Sequence, residues 1–191
     1  MQQDYFTGLI FNKSEMLQDT LVQGEYEECI FNNFDFSKAD LSNYKFLDCT
    51  FNSCNFSLTE LNNSILQNIF FNECKIMGVK FDTCNDFGLS FTFIKCQITQ
   101  TSFYKLKLRK TRFQDNRLHD NDFTEGDLRE SVFDNCDLLN TTFNNTLLEK
   151  ADLRSSYNYS IDPEINKIKG ARFSLNGIAG LLDKYGIKIE M

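Results

Sequence analysis

The chain has 191 residues, 41% apolar and 25% charged, with a formal net charge of −7 and a pI near 4.8. A single His argues against His-based acid–base catalysis or a multi-histidine metal site, and the acidic balance argues against nucleic-acid binding. One Pro and nine Gly leave little turn chemistry for a hairpin sandwich, while 20 Phe without Trp require a recurring aromatic slot.

The N-terminus, MQQDYFTGLI, lacks a basic region followed by an apolar core, and no apolar run reaches the length of a membrane span. A cytosolic protein with reduced thiols and no membrane partner is expected. From Phe6 onward every fifth residue is large and apolar: Phe6, Phe11, Met16, Leu21, Tyr26, Phe31 and on to Phe81. Residues 1–81 thus form a first stack of repeats. The period is lost over residues 82–92 and resumes two residues out of phase at Phe93, giving a second stack over 93–157. Its slots run Phe93, Ile98, Phe103, Leu108, Phe113 and on to Leu153. Two residues before each large slot stands a second, usually small residue, such as Cys29, Ala39, Cys49, Ser64, Thr111 or Ser131.

A period of five matches neither a helix nor a flat strand. It matches a chain that turns a corner every five residues, with one small and one large side chain pointing inward on each straight segment. Four segments make a square coil of about 20 residues, and successive coils pair as parallel ladders roughly 4.8 Å apart. Residues 158–191 leave this pattern. Asp162 and Pro163 suit the start of a short turn. Ser174 suits the cap of a helix carrying Leu175, Ile178, Leu182 and Tyr185 on one face. Gly186 suits its end, and Ile187-Lys188-Ile189 reads as a short strand.

These segments resemble the pentapeptide-repeat family, whose motif is small–Asp/Asn–Leu/Phe–polar–polar. The clearest copies are Ala39-Asp40-Leu41-Ser42-Asn43, Cys54-Asn55-Phe56-Ser57-Leu58, Gly126-Asp127-Leu128-Arg129-Glu130, Cys136-Asp137-Leu138-Leu139-Asn140 and Ala151-Asp152-Leu153-Arg154-Ser155. The tail, from Tyr159 to Asn166 and from Leu181 to Ile187, is similar to those of the DNA-gyrase-protecting members: the Qnr and MfpA proteins and, most closely, the microcin immunity type. The resemblance implies an all-β, right-handed quadrilateral parallel β-helix with a short C-terminal helix/strand cap. It also implies a non-enzymatic, cofactor-free protein that mimics duplex DNA and engages DNA gyrase or topoisomerase IV. The long interrupting loops of some Qnr members are missing, so contacts made by such loops do not carry over.

Six cysteines (Cys29, Cys49, Cys54, Cys74, Cys96, Cys136) fall on the small inward slot and read as small hydrophobes. Cys84 alone lies off it, in the phase break, and is expected to be the reactive thiol. With Phe87 and Gly88 it marks either a tolerated insertion or a hinge between the stacks. His119 follows an inward Leu and is expected to face solvent. Phe173, Leu175, Ile178, Leu181, Leu182, Tyr185, Ile187 and Ile189 are expected to cap the open end and to form a homodimer.

Residues 20 apart should stack, so charge columns can be read directly. In the second stack the signs alternate (Lys95 with Asp115, Lys105 with Glu125, Lys107 with Asp127, Lys110 with Glu130 and Lys150, Arg117 with Asp137, Asp134 with Arg154), predicting ion-paired columns. In the first stack like charges meet: Glu15 over Asp35, Asp40 over Glu60, Glu28 over Asp48. Residues 1–90 hold 13 acidic and 5 basic side chains, a balance of −8 that leaves +1 for the rest. Over roughly 19 Å of rod this approaches the charge density of duplex DNA. The six acids are therefore candidate gyrase contacts. Two other readings are a solvated face that keeps the rod soluble and a protein-interaction scaffold without a topoisomerase partner.

Overall fold

The computed structural model describes residues 4–13 and 21–188. Glu15 and Ile189 lie outside the described residues. The protein is a parallel β-solenoid of four walls. The first wall carries Asp4–Thr7, Gly24–Glu27, Lys45–Leu47 and Ile65–Gln67 in register, and the second carries seven strands from Ile10–Asn12 to Val132–Asp134. Lys75–Met77, Gln97–Thr99 and Arg117–His119 build the third wall. Single bridges, such as Asp40 with Glu60 and Ser102 with Asp122, build the fourth.

The period of five becomes geometry through burial. Every large-slot residue from Tyr26 to Phe81 and from Phe93 to Leu153 is buried. Phe rings pile up along the axis: Phe93 on Phe113 at 5.3 Å and 8°, Phe113 on Phe133 at 4.7 Å and 3°. Rings on adjacent walls meet edge-on, as Phe113 meets Phe123 at 5.9 Å and 85°. Parallel offset along the axis and edge-to-face across it are the two arrangements aromatic quadrupoles favour.

The small slot has a second role. Its Sγ or Oγ donates to the carbonyl of the large residue one coil earlier: Cys49 to Tyr26 (3.2 Å), Thr59 to Phe36 (2.8 Å), Ser64 to Leu41 (2.6 Å), Cys136 to Phe113 (3.4 Å). Where Asn takes the slot it makes two bonds. Asn116 donates to the Phe93 carbonyl (2.9 Å) and accepts from the Cys96 N–H (2.7 Å), and Asn121 and Asn166 repeat the pattern. These residues satisfy buried backbone groups that would otherwise be costly.

The scarcity of Gly is resolved at the corners. Non-glycine residues such as Asn33 (φ 62°), Lys38 (φ 59°) and Asn43 (φ 63°) take the left-handed conformation. This costs roughly 1–2 kcal/mol for a general residue and less for Asn. It is offset because the corner N–H bonds the next coil, as Asn33 does to the Asn52 carbonyl at 2.9 Å.

The phase break is absorbed as a loop on the first wall. Asn85 still aligns with Ile65, but Phe91–Ile94 pairs with Ile69–Asn72 at a spacing of 22. The third and fourth walls pass the same point at the same spacing, with Ile76 opposite Ile98 and Lys80 opposite Ser102. Leu89 turns in to the core, while Phe87 stands 78% exposed and Gly88 takes φ +70°. Cys84 is not off-slot. It stacks on Ser64, is buried, and burial pushes its thiol up to about 12, which corrects its expected reactivity.

The tail folds over the last coil as two short 3₁₀ turns, Ile178–Leu181 and Asp183–Tyr185, not as the expected helix, and Ile187 and Lys188 form no strand. The turn signals themselves hold: Asp162 accepts from the Glu164 N–H (2.8 Å), Ser174 from the Gly177 N–H (3.1 Å), and Gly186 takes φ +59°. Two glycines at 177 and 180 explain the shortened turns. A Cβ at either would run into Tyr159, so the segment must lie flat against that ring.

Candidate functional site

The acidic residues sit on rigid elements, and all five described candidates are exposed. Asp40 and Glu60 lie in register on the fourth wall, and Asp35 stands on the adjoining third wall opposite Asn55. Asp35 accepts from the Ser37 N–H (3.0 Å) and from Asn55 Nδ2 (3.0 Å), and Asp40 accepts from the Ser42 N–H (2.9 Å). Bonds from Ser37 and Ser42 hold both carboxyls below the usual range, so both stay ionised. Glu28 and Asp48 occupy left-handed corners between the first and second walls, away from this group. Asp48 accepts from Asn68 Nδ2 at 2.6 Å. The structure thus brings Asp35, Asp40 and Glu60 together and places Glu28 and Asp48 on the opposite corner of the rod.

The ion-paired columns expected in the second stack form only in part. Lys105 meets Glu125 at 3.4 Å as anticipated. Elsewhere Arg prefers a carboxylate on its own strand: Arg129 binds Asp127 (2.7 Å) and Arg154 binds Asp152 (2.7 Å). Residues i and i+2 of a strand both point outward, so the pair closes without spanning two coils. Arg109 also takes Asp127, at 2.6 Å, which leaves Lys107 without its expected partner. Lys95 turns back to Glu73 (3.7 Å), and Arg112, not Arg154, meets Asp134 (3.4 Å).

His119 is buried, contrary to the solvent exposure expected. Its Nδ1 accepts from Arg117 Nε at 3.0 Å and its Nε2 lies 2.7 Å from Asp137 Oδ2. The Nδ1 bond and the close Asp137 carboxylate of the next coil place the imidazole as a structural link between coils. Sequence spacing missed this because Arg117, His119 and Asp137 alternate outward and close on one another only across the ladder. All seven cysteines are free and buried, and among the described residues no three metal-ligating side chains converge. No helix among those residues is long and apolar enough to cross a membrane.

A four-walled parallel solenoid with five-residue steps, a stacked Phe core and charged outer columns defines a class of repeat protein. The family model described as pentapeptide repeats matches residues 117–154 in eight copies, so that segment carries pentapeptide repeats. Solved structures with a similar fold include full-length QnrB1, a plasmid-mediated fluoroquinolone resistance protein. It is 19% identical, with 96% of this chain and 100% of that chain covered and a TM-score of 0.55. A trypsin-treated QnrB1 variant is 21% identical over 97% of each chain, with a TM-score of 0.52. HetL, a pentapeptide-repeat protein involved in heterocyst differentiation in the cyanobacterium Nostoc, is 12% identical over 93% of this chain and 87% of that one, with a TM-score of 0.36. No curated protein matches the sequence.

Proposed function

We propose that the protein is a non-enzymatic, cytosolic mimic of duplex DNA that binds DNA gyrase or topoisomerase IV and protects the enzyme from a peptide toxin or a drug. The observation that carries this reading is the in-register acidic pair Asp40 and Glu60, with Asp35 beside it and Glu28 and Asp48 on the opposite corner. Like charges in register are destabilising unless a cationic partner is present. A duplex carries phosphates around its circumference, and acids on opposite corners of a rod reproduce that feature. Likeness to a fluoroquinolone resistance protein agrees with the reading.

The tail offers a second contact. Leu175 (85% exposed), Ile178, Tyr185 and Ile187 turn an apolar face outward beyond the cap, which suits a homodimer through the C-terminus. A pentapeptide-repeat scaffold without a topoisomerase partner is the second reading, favoured by exposed Lys107, Lys150 and Lys167 on the later coils, where the first wall continues through the aligned residues Lys107, Asp127, Leu147 and Lys167. A gyrase supercoiling and cleavage assay with and without poisons separates the two. Replacing Asp35, Asp40 and Glu60 by Lys should abolish enzyme binding while the circular dichroism spectrum is kept, and unchanged binding refutes mimicry through these residues.

A further inference from the structure

The first wall carries opposite charge at its two ends. Up to Asn68, its outward positions and corners hold Asp4, Glu25, Glu27, Glu28 and Asp48 against Lys45 alone, and Lys45 pairs with Glu25 at 3.2 Å. Beyond the loop the wall continues through the aligned residues Lys107, Asp127, Leu147 and Lys167. There the balance reverses: five lysines and two arginines face Asp127, Glu130 and Glu149. Asp127 is already clasped by Arg109 and Arg129. Lys107, Lys110, Lys150, Lys167 and Lys169 are exposed and lie within no ion pair among the described residues. The net charge of the wall is −4 before the loop and +4 after it, in a chain whose total is −7.

Between the halves stands Phe87, 78% exposed. The loop that carries it is pinned, because the Phe87 N–H donates to Asn85 Oδ1 (3.0 Å) and its carbonyl accepts from Gln67 Nε2 (3.0 Å). The ring is held out from the wall, with half-buried Leu47 and Ile65 on the preceding coils. An aromatic centre inside a charged surround is the usual anatomy of a protein interface.

We propose that a second copy of this chain docks antiparallel on the first wall, the acidic half of each copy on the basic half of the other, with the two Phe87 rings meeting near the two-fold axis. A two-fold relation through the loop makes both charge contacts at once, as isologous pairing requires. The columns also match in spacing, since both sets rise by the same roughly 4.8 Å per coil, whereas phosphates along a nucleic-acid strand do not share that step. The wall is about 40 Å long and one short strand wide, so the contact buries on the order of 1,000 Å² in total and belongs to the weak, salt-sensitive class. Asp35, Asp40 and Glu60 lie on other walls and stay open. Glu28 and Asp48, which the gyrase reading also uses, would be covered, so the two interactions compete at that corner; the inference does not depend on a C-terminal dimer.

Sedimentation velocity of the full chain at high concentration tests it. One association step should weaken about tenfold or more between 50 and 500 mM salt, whereas an apolar C-terminal contact persists in both. Lys107→Glu/Lys150→Glu/Lys167→Glu should lose the salt-dependent step, and so should Glu25→Lys/Glu27→Lys/Glu28→Lys. An equimolar mixture of the two variants should regain it, and Phe87→Ser alone should weaken it. All these positions are surface-facing, so each variant keeps the wild-type circular dichroism spectrum. Absence of any salt-dependent step, failure of the mixture to recover it, or binding of a 20-base-pair duplex by a protein that stays monomeric at 50 mM salt would each overturn the proposal.

Discussion

Replacing Phe113 by Ala removes a fully buried ring from the middle of the solenoid, where it stacks on Phe93 at 5.3 Å and on Phe133 at 4.7 Å. Burying a Phe and leaving a cavity in its place is worth roughly 3–5 kcal/mol, and loss of two stacked partners puts this site at the upper end, about 5 kcal/mol. Phe11 occupies the same slot in the first coil, is only half-buried, and stacks along the axis on Phe31 alone, at 5.0 Å. Its replacement by Ala should cost about 1–2 kcal/mol. The contrast follows from nearest-neighbour coupling, since an inner coil has two interfaces to lose and an end coil one. Urea unfolding followed by far-ultraviolet circular dichroism measures both; the chain has no Trp, so Tyr fluorescence serves as the second probe. Equal losses at the two sites, or a loss at Phe113 below about 2 kcal/mol, would refute the one-dimensional coupling on which the estimate rests.

Asn116→Ala leaves the Phe93 carbonyl and the Cys96 N–H unpaired in the core and should cost about 2–4 kcal/mol; Asn116→Ser restores a donor and should recover about half, both read by the same urea titration. Burial pushes Cys49, Cys84 and Cys136 up from 9.0 to about 12, so each is neutral in the folded chain where the unfolded one would ionise. Their contribution is complete below pH 9 and lost as pH rises toward 12, by about 1.4 kcal/mol per pH unit per thiol, and stability measured across that window should fall accordingly. In native protein at pH 8, Ellman's reagent should find these thiols silent until denaturant is added. Gly180→Ala drives a Cβ into the Tyr159 carbonyl, so the cap should lift, with loss of thermal stability and faster proteolysis after residue 160.

The core was legible from the primary structure because a solenoid converts sequence spacing directly into stacking. Phe31, Phe51 and Phe71 are twenty apart and pile ring on ring, and the acidic pair Asp40 and Glu60 meets as its spacing predicts. What escaped prediction lies where a side chain has a choice of partner within one coil. Arg129 and Arg154 close on the carboxylate two residues away, and His119 is covered on the outer face by Arg117 and Asp137, so column-by-column charge matching failed there. The tail failed for another reason: Gly177 and Gly180 are required by contact with Tyr159, a constraint no local helix signal reveals.

The uniform step between paired residues has a kinetic consequence. Ladder partners are separated by 20 residues, or 22 at one point, in a chain of 191, so contacts that look tertiary are short in sequence. Relative contact order is therefore about 0.1, the range of helical bundles and well below that of β-sandwiches of similar size. An all-β protein of this shape should close each loop cheaply once its neighbour is in place and grow coil by coil from any nucleus, with the end coils fraying first.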